Sequence, residues 1–145
     1  MTDIGEAIRK GYYNVLNGQV LLPGAIPVVD EKLDTQISEH DLYMLIDSQE
    51  ERPADNKTRY ATEVDITITV INRRQATNSK TAVESIAGQM LALLFPSKNT
   101  WTVSVPAPLS LTYARLQEAG YRFEKTDAGF NIMKRMVFRN RITQP

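Results

Sequence analysis

The sequence predicts an α+β domain in which a mainly antiparallel β-sheet carries two helices on one side and a long polar loop projects from a β-hairpin. Three observations lead there. Val64, Ile66, Ile68 and Val70 alternate with Glu63, Asp65, Thr67 and Thr69. A period of two built from β-branched residues marks a strand with one face in a core and the other toward water or a second subunit. Val83, Ile86, Ala87, Met90, Leu91 and Leu94 then repeat at helical spacing, and Pro96 stops the run. Near the end, Thr126-Asp-Ala-Gly129 separates two alternating segments, Tyr121–Lys125 and Phe130–Ile142, as a hairpin turn does.

The remaining elements follow from the N-terminus. Residues Asp3–Asn17 read as a first helix, with Asp3 as N-cap and Glu6 as the returning partner of a capping box. Ile4, Ala7, Ile8, Val15 and Leu16 fall near one face with Tyr12 beside them; Gly11 weakens the helix and Asn17-Gly18 ends it. From Gln19 to Val29, Pro23, Gly24 and Pro27 allow only short extended pieces. Leu42–Ile46 suits a buried strand. Ser48–Thr58 contains almost nothing that could pack and is expected to project as a mobile loop or hairpin tip, with Glu50, Glu51, Arg52, Asp55, Lys57 and Arg59 available to a partner. The second helix is expected to open on a capping box, Thr81-Ala-Val-Glu84. Trp101, Val103 and Val105 alternate like a strand. Leu109–Gly120 fits a strand at Leu109, Leu111 and Tyr113 and a helical turn at Tyr113–Ala119. In the last strand Phe130, Ile132, Met136, Phe138 and Ile142 share a face interrupted by Lys134, and Arg135, Arg139 and Arg141 line the other.

At 145 residues the chain fits one domain, residues 1–145, large enough to bury a core without disulfides or structural metal. It has no cysteine and a single histidine, His40, which rules out thiolate zinc sites, cysteine nucleophiles and a zinc site of several imidazoles within one chain. The N-terminus lacks the pattern of a signal peptide, and no apolar run approaches the ~18 residues of a membrane span. A soluble protein folding in a reducing cytoplasm is expected. Seventeen basic and seventeen acidic side chains cancel overall, but unevenly. Pro27–Asp65 holds eleven acids against four bases, a net of −7; Leu109–Pro145 holds seven bases against three acids, a net of +4. Such a chain can pair head to tail with copies of itself, or simply present two solvated faces.

Patterns of catalysis are scarce. The chain has no Walker A, GxGxxG, HExxH or GxSxG motif. Ser38-Glu-His40-Asp41 gathers a hydroxyl, an imidazole and carboxylates, but triads are assembled from distant segments and polar loops yield such strings by chance. Glu63 and Asp65 share a strand face as the acids of magnesium-dependent nucleases can, yet no Glu-x-Lys follows on the strand, and alternating charges on an open strand face are the ordinary case. Arg135, Arg139 and Arg141 could meet phosphates; the balanced total charge and the lack of interleaved aromatics argue against dedicated nucleic-acid binding. No cofactor, metal or small-molecule substrate is expected, and the chain reads as a non-enzyme.

Ile26-Pro-Val-Val-Asp30, Tyr43-Met-Leu-Ile-Asp-Ser48, the polar loop, Glu63-Val-Asp-Ile-Thr-Ile-Thr-Val-Ile-Asn-Arg73 and Ser79-Lys-Thr-Ala-Val-Glu-Ser-Ile-Ala87 stand in one order. That order resembles the tail-completion or tail-terminator proteins of tailed bacteriophages and related neck proteins, over roughly residues 4–142. Pro106–Gly120 departs from the resemblance, being longer and less regular. The resemblance implies a non-enzymatic virion protein, assembled in the host cytoplasm. It would form a ring of six or twelve copies at the head–tail junction, joining portal or neck and tail proteins around an axial channel through which DNA passes. Glu63, Asp65, Thr67, Thr69, Arg135, Arg139 and Arg141 would lie at the subunit interface. An unrelated α+β adaptor domain, using the exposed face of residues 60–72, is the alternative; a metal-dependent nuclease is a third.

Overall fold

The computed structural model describes residues 3–22, 24–30, 41–54 and 60–144. The elements run α1 (Ile4–Leu16), β1 (Val28–Asp30), β2 (Leu42–Pro53), β3 (Tyr60–Gln75), α2 (Thr81–Leu94), β4 (Ser110–Thr126) and β5 (Gly129–Gln144). The strands form one five-stranded sheet in the order β1-β2-β3-β5-β4. Every ladder is antiparallel except that of β1 with β2.

The alternation in β3 works as expected. Val64, Ile66, Ile68 and Val70 are fully buried and meet Met44 and Ile46 of β2 and Ile132, Met136, Phe138 and Ile142 of β5. The helices close this face with Ile8, Tyr12 and Leu16 from α1 and Val83, Ile86, Met90 and Leu94 from α2. Burying each large apolar side chain contributes about 1.5–3 kcal/mol relative to exposure, so this layer dominates the stability. It also holds one polar side chain, Asn140, with no exposed surface. Its amide donates to the carbonyls of Val64 and Phe138, both at 3.1 Å, and accepts from the Tyr12 hydroxyl at 2.6 Å.

The helix ends differ in part from expectation. Asp3 caps α1 by accepting from the Gly5 N–H at 2.9 Å, but Glu6 pairs with Lys10 one turn on and does not close a capping box. Helix α2 begins at Thr81 after Lys80, without a side-chain cap bond from Thr81. Ser79 Oγ lies 3.1 Å from the Thr81 hydroxyl instead.

Three segments correct the sequence reading. Trp101–Val105 joins no ladder and belongs to no strand. Its groups go to the end of α2, whose last carbonyls need donors: the Thr102 N–H donates to Leu94 O at 3.0 Å and its hydroxyl to Leu93 O at 2.7 Å. Gly11 explains the close fit on the other side, since a Cβ there would stand 2.6 Å from the Ser104 carbonyl oxygen. The ambiguous stretch Leu109–Gly120 is strand from Ser110 onward, with register shifts between Leu111 and Tyr113 and between Leu116 and Glu118. Each shift adds a residue and breaks the period of two that would have identified it. Ser48–Pro53, expected in a mobile loop, continues β2 and pairs with Thr62–Thr67. The hairpin tip, with Asp55, Lys57 and Arg59, lies outside the described residues, as does His40.

Candidate assembly surface

The sheet face turned away from the helices was expected to be open. It is more closed than that. Asp65, Thr67 and Thr69 are buried at 9%, 4% and 7% exposure. The cause is their place on the central strand: β2 and β5 flank each of them, with Glu50 and Arg139 beside Asp65, and Leu45 and Arg135 beside Thr69. One end of this face is apolar, where Val29, Tyr43 and Ile71 pack with Leu45 and Met133. Burial raises the Tyr43 hydroxyl pKa, and the charge of Arg73, 5.6 Å from the ring centroid, opposes that rise.

The other end is a charge ladder running across the strands. Register sets Arg52, Glu63 and Arg141 side by side on β2, β3 and β5, and Glu50, Asp65 and Arg139 in the next row. Asp65 is the centre of it. Arg139 approaches through Nε at 3.1 Å and Nη2 at 3.3 Å, a bidentate pair, and Arg52 Nη2 adds a bond of 3.0 Å. Arg52 also lies 3.6 Å from Glu63 and from Glu50. Desolvation is the largest single influence on Asp65 and pushes its pKa up. The hydrogen bonds and charges of Arg139 and Arg52 together outweigh it, and the carboxyl is held below its ordinary value. Arg141 donates to the Ala54 carbonyl at 3.1 Å, and Arg135 lies 3.6 Å from Glu118 of β4.

The structure thus brings Glu63, Asp65, Arg139 and Arg141 together with Arg52 and Glu50, two residues first assigned to the loop. Glu51, one residue on from Glu50, pairs with Val64 and is exposed. Both carboxylates that suggested a nuclease are engaged by guanidinium groups, and no three metal-ligating side chains converge among the described residues.

A second cluster escaped the sequence reading. On β4, Tyr121 and Phe123 are 36% and 46% exposed and stack with centroids 6.4 Å apart. The ammonium groups of Lys80 and Lys134 each lie 4.9 Å from the Tyr121 ring centroid, and its hydroxyl donates to Glu84 at 3.3 Å. The signal was Lys134, out of place on an apolar strand face, standing opposite Tyr121 in the ladder.

The class defined by this geometry is a one-layer sheet with helices on one face and charged side chains, paired mostly within the subunit, on the other. No family model and no curated protein matches the chain. Among solved structures, a chain of the virion of the native gene transfer agent (GTA) particle has the same fold. The TM-score is 0.71 over 99% of both chains, at 16% sequence identity. None of the helices is long and apolar enough to cross a membrane, among the described residues.

Proposed function

We propose that this chain is a structural subunit of a phage-like virion, forming a ring at the head–tail junction of a tailed bacteriophage. In that place it joins portal or neck proteins to tail proteins and leaves an axial channel for DNA. The observation that carries this reading is the agreement in fold, end to end on both chains, with a component of the GTA virion. The order of sequence elements independently resembles the tail-completion proteins.

Ring closure needs a heterologous contact, in which unlike surfaces of the subunit meet. The charge ladder supplies a candidate. Asp65, Thr67 and Thr69 form its rigid floor, whereas Glu63, Arg135, Arg139 and Arg141 retain surface at the rim for a neighbour. The β2–β3 hairpin, with Glu50, Glu51 and Arg52 on its strand, reaches for the adjoining ring. Size-exclusion chromatography with light scattering, alone and with portal and tail components, tests the reading. Rings alone or bound to either component are expected; a monomer that binds neither refutes it.

A further inference from the structure

The two outer edges of the sheet differ in length, regularity and charge. At one edge β1 has three residues, and β2 carries the exposed acids Asp47, Glu50 and Glu51 against one base, Arg52; Asp30 of β1 is buried and paired with Arg9. At the other edge β4 has seventeen residues, and β4 with β5 carries seven bases against two acids. No described residue pairs with the outer side of β4.

Edge strands are usually shielded by brevity, charged side chains, proline, bulges or a covering element, because an unpaired row of N–H and C=O groups is a template for another strand. Strand β4 is bulged only in its first half, where both register shifts fall; its second half carries charges of both signs, Glu118, Arg122, Glu124 and Lys125, which repel a like-charged strand but not a complementary one. From Glu118 to Thr126 its ladder with β5 is uninterrupted, it has no proline, and Glu118–Lys125 is exposed throughout. The turn at Asp127-Ala128 closes on the pair Thr126–Gly129. Counting the antiparallel alternation back from it, Ala119, Tyr121, Phe123 and Lys125 direct their backbone groups outward. Ala119 and Gly120 leave the approach open, since a Cβ on Gly120 would meet nothing within 4 Å. Tyr121 and Phe123 supply apolar surface beside the same edge.

We infer that Glu118–Lys125 of β4 is a docking edge that takes a strand from the acidic β1–β2 end of a second copy, extending the sheet from subunit to subunit. This rests on the ring reading and adds an edge-to-edge contact to the face contact offered by the charge ladder. Main-chain bonds would supply affinity and the exposed aromatics would lose their water. Glu118–Lys125 itself carries two acids and two bases, but Lys134 and Arg135, opposite Tyr121 and Gly120 on β5, leave this edge net basic, so opposite charge would select the acidic end of the next copy over its basic end. Because the two edges belong to opposite ends of one sheet, the contact is heterologous and repeats.

The test uses the full chain in two forms. Wild-type protein mixed from isotopically light and heavy preparations is treated with a carbodiimide, which joins lysines to nearby carboxylates, and intersubunit links are mapped by mass spectrometry. Links from Lys125 to Asp47, Glu50 or Glu51 are expected; links that join copies only through other residues overturn the proposal. In parallel, Ala119→Pro removes one outward donor without touching the ladder to β5. It is expected to weaken self-association by about tenfold or more, as loss of a buried main-chain bond does, with an unchanged circular dichroism spectrum. A folded Ala119→Pro that associates like wild type overturns the proposal. A wild-type chain that stays monomeric at every concentration also overturns it, whereas the virion reading is then decided by binding to portal or tail components.

Discussion

Tyr12 and Asn140 place a hydrogen bond inside an apolar layer, where an unmet partner is costly. Tyr12→Phe keeps the ring, which lies 5.4 Å from that of Phe138, but leaves the Asn140 oxygen buried without its donor. We expect a loss of about 1–3 kcal/mol, read as a lower urea midpoint at constant m-value. The same hydroxyl sets an alkaline limit. Burial raises its pKa well above the usual value, against the lowering effect of Asn140, so the native state keeps a proton that the unfolded chain releases above about pH 10. Stability should therefore fall as pH rises past that point, and less steeply in Tyr12→Phe. Asp65 acts at the opposite limit. Its native pKa is depressed, so its contribution is complete above the unfolded value of about 3.9 and is lost as pH falls through the native one. Urea titrations between pH 2 and 6 should show a shallower acid decline in Asp65→Asn; parallel curves would place the acid sensitivity elsewhere.

At the scale of elements, Gly11 decides whether segment 101–105 can lie on α1. Alanine is the better helix former by about 1 kcal/mol, and in an isolated helix it would stabilise. Here its Cβ would stand 2.6 Å from a backbone oxygen and 2.9 Å from Val103 Cγ1, neither of which is a mobile side-chain end. Gly11→Ala should therefore destabilise by about 1–3 kcal/mol, as overpacking does, and speed amide exchange around Thr102. The elements differ in how far their sequences show them. Strand β3, both helices and the β4–β5 turn were legible because local pattern and tertiary place agree. Trp101–Val105 misled because it alternates while its backbone bonds go to a helix end. Residues 48–53 misled in the other direction: a strand with no apolar residue is held by its ladder and by the bonds of Arg52. The polar face of β3 was legible as polar but not as buried, since its cover is long side chains brought alongside by register.

Across the whole molecule, the neutral total conceals a sheet that is acidic at one end and basic at the other. The asymmetry was visible in the sequence, but its arrangement on opposite edges follows only from the strand order β1-β2-β3-β5-β4. The order also sorts the charges by role. Asp65 is buried and bonded inside the subunit by Arg139 and Arg52, so changing it should affect folding more than assembly. Lys125 and Glu51 lie toward opposite edges with no ion pair between them or to a described neighbour, so reversing their signs should affect assembly more than folding. Salt separates the contributions to the contact. The Debye length shrinks from about 8 Å at physiological ionic strength to about 3 Å at 1 M, which removes steering between exposed charges and leaves main-chain bonds and apolar contact in place. Self-association measured by sedimentation should accordingly weaken with salt through a slower association rate, and then level off above zero. Complete dissociation at 1 M would mean that charge alone holds the copies together, and no dependence on salt would mean that the opposite edges do not meet.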